Sequence, residues 1–265
     1  MEAADFMQQA RRALAETDPG EKVRRVNALL TQDAGCLAGL DGFDPLPLEA
    51  GRPQRPELLP PAQVPHRGLG KPAGRVALIH AIAHIEFNAI NLGLDALCRF
   101  SGLPADYYRD WLGVAGDEAR HFCMLRDRLA DHGAAYGDLP AHNGLWEMAV
   151  KTAEDPLERM ALVPRVLEAR GLDVTPGMIV RLKSVGDGQT VEILETILEE
   201  EIPHVAVGSR WFRHLCAQRN LPPLDTFADL FDRYMSGRIK GPFNEAARLQ
   251  AGFDAAEMAY LNRQG

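Results

Sequence analysis

The chain has 265 residues, 46% hydrophobic and 25% charged, with a formal net charge of −8. That length allows one large domain or two small ones with a real core, and the composition is ordinary for a globular protein. The acidic balance argues against a broad nucleic-acid surface or an anionic-membrane footprint, since both need clustered Lys and Arg.

From Met1 to Glu16 the sequence is charged and amphipathic and lacks the apolar centre of a secretion signal. Over the first 35 residues Phe6, Ala10 and Leu14, then Val23, Val26, Leu29 and Leu30, recur at helical spacing. Between Asp44 and Pro72 the texture changes. Pro45, Pro47, Pro53, Pro56, Pro60, Pro61, Pro65 and Pro72 forbid a helix and predict an extended arm. A strap across the following helices is preferred to a linker, because the helices before it are too short to bury a core alone.

From Gly74 onward nearly every segment reads as helix. Helix A is expected over about 75–101, helix B over 105–132, and a short helix over 146–153. Helix C begins at Pro156, a favoured first helical position, with interruptions near Gly171 and Pro176. Helix D covers about 187–219, with Pro203 expected to kink or bulge it. Two further helices, about 227–234 and 244–262, close the chain. No apolar run approaches the ~20 residues that span a membrane. Cys36, Cys98, Cys123 and Cys216 are scattered without a CxxC pair, so free thiols and a cytoplasmic location are expected.

The chemistry lies on helices B and D. Helix B carries Asp117-Glu118-Ala119-Arg120-His121 and helix D carries Glu200-Glu201-Ile202-Pro203-His204. Each contains a Glu-x-x-His pair, and residues three apart share one helix face, so a carboxylate and an imidazole address the same point. Helix A supplies Glu86 and helix C supplies Glu168, chosen over Glu147, Glu154 and Glu158 by its interval to Glu201. Glu86 and Glu118 are 32 positions apart, and Glu168 and Glu201 are 33 apart. Half a helix up, a short turn and half a helix down is roughly 30 residues. The 50 positions from Glu118 to Glu168 need a long crossover.

The faces agree with this reading. Ile79, Ile82, Glu86, Ile90, Gly93 and Leu97 form an apolar row with one acid, and Leu194, Ile197, Glu201, His204, Gly208 and Trp211 are apolar except at the two candidates. An ionised carboxylate in such a row costs several kcal/mol unless paired or metal-bound. Oxygen and imidazole donors favour iron or manganese over copper or a thiolate-type zinc site. Asp117 and Glu200 precede the ligand acids and are candidates to orient the metal-bound imidazoles. His84 lies about 200° around the helix from Glu86. It is not expected to ligate. With Asn88, Asn91 and Asp95 it forms a polar stripe expected to face solvent or the arm, and the role of His80 is open. Lys240-Gly241-Pro242-Phe243-Asn244, followed by Arg248, reads either as a cap beside a substrate entrance or as a plain helix start.

A Glu from each of two helices plus Glu-x-x-His from the other two is the ligand set of ferritin-like di-metal carboxylate proteins. At these residues the sequence resembles the ferritin-like superfamily. More closely it resembles a bacterial family of uncharacterised ferritin-like domain proteins with this proline-rich arm, the His84-Ile85-Glu86 helix, Asp117-Glu118-Ala119-Arg120-His121 and a late Pro242-Phe243-Asn244 turn. Over the four central helices it also resembles di-iron oxygenases and the tRNA hydroxylase branch. The resemblance implies oxygen or peroxide activation, or iron oxidation, at a two-metal centre.

The expected architecture is therefore all-α. A ferritin-like four-helix bundle with a long B–C crossover occupies 74–220, the N-terminal helices and arm 1–73, and a helical cap 221–265. The expected function is a di-iron oxidoreductase acting on a small substrate with O2 or peroxide. Glu86, Glu118, His121, Glu168, Glu201 and His204 are its metal ligands. No flavin or nicotinamide fingerprint is present, so a separate reductase is implied. A ferroxidase or iron-handling protein and a non-catalytic helical adaptor are the alternatives, and a homodimer is one assembly left open.

Overall fold

The computed structural model describes residues 3–32, 37, 40, 43, 49–65, 68–235 and 241–264. Cys36, Pro45, Pro47 and Lys240, singled out above, lie outside the described residues. The chain divides into two compact units, Met1–Trp146 and Glu147–Gly265. The boundary falls within the segment 74–220, so each unit holds one helical hairpin with its own flanking terminal region. Among the described residues the structure is all-α, its only β feature being one isolated bridge.

In the first unit α1 (Ala3–Ala15) and α2 (Pro19–Leu30) precede the arm, and α3 (Pro72–Arg99) and α4 (Ala105–Asp131) form an antiparallel hairpin. Asp18 caps α2 by accepting from the Glu21 amide, and Pro19 occupies the first turn, where its missing N–H costs nothing. The apolar stripes of α1 and α2 pack on α3 and α4, respectively. Lys22 is fully buried and donates to the Ala13 and Leu14 carbonyls at 3.0 and 2.7 Å, closing the C-terminal end of α1. Burial pushes its ammonium down to about 7, against the opposing pull of Glu16.

The arm behaves as a strap. Gly51 N–H donates to the Leu14 carbonyl, and Leu58 bridges in parallel to Ala141 of the segment after α4. Among its described residues a 3-10 turn, Pro61–Gln63, is the one helical piece before α3. Among the described residues α3 is long and apolar enough to cross a membrane, which corrects the expectation that no such run exists. Of that stretch 67% is buried, mostly as core.

The second unit opens with α5 (Gly144–Lys151), whose first residues belong to the preceding unit. Then α6 (Pro156–Leu162), a π-helical segment (Val163–Glu168) and α7 (Ala169–Ser184) form one continuous helical arm. It returns through a short turn to α8 (Gly188–Gln218), whose first turn is capped by Asp187. One expectation is corrected here: helix C is unbroken at Gly171 and Pro176. α8 remains α-helical through Pro203, without a bulge, and the irregular turn of this hairpin lies at Pro164. Pro164 has no N–H to continue the helix ladder and its ring crowds the preceding turn, so the turn widens.

The C-terminal region is α9 (Pro223–Met235), α10 (Glu245–Gln250) and α11 (Ala255–Gln264). The single helix expected over 244–262 is split where Gly252 takes a φ of 86°. Asn244 caps α10 by accepting from the Ala247 amide, and Arg248 is buried against Asp173 at 2.8 Å. The helix-start reading of that turn therefore holds. Arg165 and Glu257, both essentially buried, pair at 2.7 Å. Cys98, Cys123 and Cys216 are free thiols.

Two stability measurements follow. A Cβ at Gly93 would lie 3.0–3.1 Å from Ala115 and the Trp111 carbonyl, so Gly93→Val should wedge the α3–α4 hairpin and cost about 1–3 kcal/mol, read as a lower urea midpoint. Glu257→Ala strands the Arg165 charge in the core and should cost about 3–5 kcal/mol in the same assay. An unchanged midpoint would refute either packing account.

Candidate metal centre

The close approach of α3 and α4 sets the first group of candidates. Gly93 lies against Trp111, and both are two turns from a carboxylate: Glu86 is seven residues back on α3, Glu118 seven residues on along α4. In an antiparallel pair that register brings the two acids to one level. Glu86 is 4% exposed, and Glu118 and His121 are fully buried. These three residues each bring a ligand atom within 4.8 Å of the others. His121 Nδ1 is 3.3 Å from Glu86 Oε2 and 3.4 Å from Glu118 Oε2.

The electrostatics follow from that packing. Burial opposes charge on the His121 ring, but Glu118 and then Glu86 overcome it by hydrogen bonding and attraction, and the imidazole is held up to about 11.

The second group lies on the C–D hairpin. Gly208 packs on Pro164. His204 is four residues before Gly208 and Glu168 four residues after Pro164, so the antiparallel register carries both to the same level. Glu168 is 8% and His204 3% exposed. Glu201 Oε1 lies 3.6 Å from His204 Nδ1, and the Glu201 side chain is 12% exposed. Glu168 is the last residue of the π segment.

The two orienting candidates are placed differently from the ligands. Asp117 is half-exposed and pairs with Arg120 at 3.1 Å, and Glu200 is half-buried on α8. Of the two placements expected for the polar stripe on α3, facing solvent or facing the arm, burial removes the first. His84, Asn88, Asn91 and Asp95 are all buried, at 5%, 6%, 1% and 0% exposure.

Three of the four residues in that stripe have side-chain partners, while Asn91 Oδ1 is buried without a hydrogen bond among the described residues. Asp95 is gripped by Arg99 through several hydrogen bonds. Asn88 Nδ2 donates to both the His84 carbonyl and His84 Nε2, which leaves the ring proton on Nδ1 to donate to the Tyr136 hydroxyl at 2.9 Å. Burial, reinforced by His80 and His142, pushes His84 down to about 4, so its ring is neutral. His80 Nε2 accepts from the Gly137 amide.

Tyr136 escapes a periodicity reading because it sits in the segment after α4, with no helix face to mark it. Its ring stacks on His80 and His84 and packs on Phe87 and Phe122, the neighbours in sequence of Glu86 and His121. It packs on one side of the α3–α4 hairpin.

The donor chemistry fits a hard or borderline metal ion: carboxylate oxygens and imidazole nitrogens, no thiolate, within a buried helical face. A relative in Haemophilus influenzae, an "Uncharacterized protein", is 43% identical over 97% of this chain and 93% of its own length. No solved structure matches the chain. A family model described as "Protein of unknown function (DUF455)" matches residues 15–259, and the chain belongs to that family.

Proposed function

We propose that the chain is a metal-dependent oxidoreductase in which Glu86, Glu118, His121, Glu168, Glu201 and His204 hold two metal ions, iron in preference to manganese. The observation that carries this reading is the buried set Glu86, Glu118 and His121, two acids around one imidazole with their ligand atoms within 4.8 Å. The second Glu-x-x-His pair, with its own upstream acid at a matching interval, supports the pairing of metals, as does the likeness to ferritin-like di-metal proteins.

Bound iron supplies the reduction of O2 or peroxide and the oxidising equivalents for a small substrate. The protein's own residues set the conditions. Phe87 and Phe122, the sequence neighbours of Glu86 and His121, add apolar surface next to the site, and the neutral His84 adds no charge of its own to the adjoining polar stripe. Electrons come from a separate reductase.

Metal analysis of anaerobically purified protein tests the assignment. Two irons per chain and a new near-ultraviolet band after O2 exposure are expected, with both lost in Glu118→Ala and in Glu201→Ala. A wild-type protein with no stoichiometric iron or manganese would end the proposal. Sustained oxidation of many irons per chain without an organic product would favour the ferroxidase reading.

Proton release gives a second test. His121 holds its proton up to about 11, whereas a metal needs the neutral nitrogen, so each binding event expels that proton. Affinity should rise with pH, by up to about tenfold per unit between pH 6 and 8. Calorimetry in buffers of different ionisation enthalpy measures it, and a pH-independent affinity would remove His121 from the ligand set.

A further inference from the structure

The π segment Val163–Glu168 is tied down more thoroughly than its length requires. Ala169 N–H donates to the Pro164 carbonyl five residues back, the signature of a widened turn. On one side Pro164 fills the space left by the missing side chain of Gly208, where a methyl would run into the proline ring. Next to it, Arg165 Nε donates to Ser209 Oγ at 3.2 Å, and Arg165 Nη2 to Glu257 Oε1 at 2.7 Å.

The guanidinium is also enclosed by the rings of Phe212, Phe227 and Phe253, each 4.5–4.6 Å from its carbon. Glu257 is fixed in turn by the Asp254 amide and by Arg213. Residues of α8, α9, α11 and the turn before α11 thus converge on the two residues that open the wide turn, and Glu168 closes it. Each helical residue turns the chain by about 100°, so accommodating one extra residue in the turn shifts the direction of whatever follows by about that angle.

We infer that the Gly208–Pro164 contact and the Arg165–Glu257 clamp form a positioning device that holds the π turn open and so aims the Glu168 carboxylate. Gly208, Pro164, Arg165 and Glu257 are positioning residues. They act through Glu168, and this inference rests on the metal reading of that residue. The C-terminal helix α11, which the sequence presents as a plain cap, becomes part of the apparatus that sets the ligand.

Two variants of the full chain test it, each titrated anaerobically with Fe(II) alone in a calorimeter. Gly208→Ala pushes a methyl into Pro164, and Fe(II) affinity should fall tenfold or more, with faster amide exchange across 165–169. Pro164→Ala restores an N–H and permits a regular α turn. Its metal-free melting temperature should be unchanged or higher while Fe(II) affinity falls by a similar factor, a split that a merely structural role would not produce. If the wild type binds Fe(II) and both variants bind it equally well, the positioning device is refuted while the metal reading stands. If the wild type binds none, the metal reading fails first and this inference with it.

Discussion

A charge taken out of water must be met by another charge or by strong hydrogen bonds, and that requirement organises both units of this protein. Several buried acids described here are held by arginines: Asp95 by Arg99, Asp173 by Arg248, and Glu257 by Arg165 and Arg213. These pairs pin a helix end or join distant segments. The group on α3 and α4 is composed differently, because Glu86 and Glu118 both converge on His121. An arrangement with more acid than base, inside an otherwise apolar face, suits a multivalent cation better than it suits a salt bridge.

The helices are irregular in one place where that matters. A straight α-helix would need a backbone N–H at position 164, and proline cannot supply one. The resulting π turn is a local cost, offset by a buried arginine, three aromatic rings and a glycine cut to fit. Elsewhere prolines are absorbed quietly: Pro176 and Pro203 sit inside α7 and α8 without disturbing the assigned helix. The contrast locates the strain next to Glu168 rather than next to Glu201, where the sequence had drawn attention.

Aromatic and imidazole side chains supply a second theme. Burial and its imidazole neighbours push His84 toward the neutral form, whereas Glu118 and Glu86 pull His121 toward the charged one. Two histidines on adjacent antiparallel helices are thus shifted in opposite directions. Tyr136 packs between these environments, against Phe87 and Phe122. The segment carrying it is tied to the proline arm through the Leu58–Ala141 bridge.

Helical periodicity, the proline cluster and the paired Glu-x-x-His spacing were enough to define an all-α chain, its hairpins and the candidate ligands. These signals are local: a residue three or seven positions away on a helix has a fixed direction whatever the rest of the fold does. Tertiary packing decided the rest. Gly93 and Gly208 look like minor stripe residues, yet their missing side chains set the register that brings Glu86 to the level of Glu118, and Glu168 to that of His204. The stripe His84, Asn88, Asn91 and Asp95 reads as facing solvent or the arm because polarity is the main cue a sequence offers for exposure. It is buried, with His84 held by Tyr136 and Asn88 and Asp95 held by Arg99, and partners that lie far along the chain or across a turn leave no periodic trace.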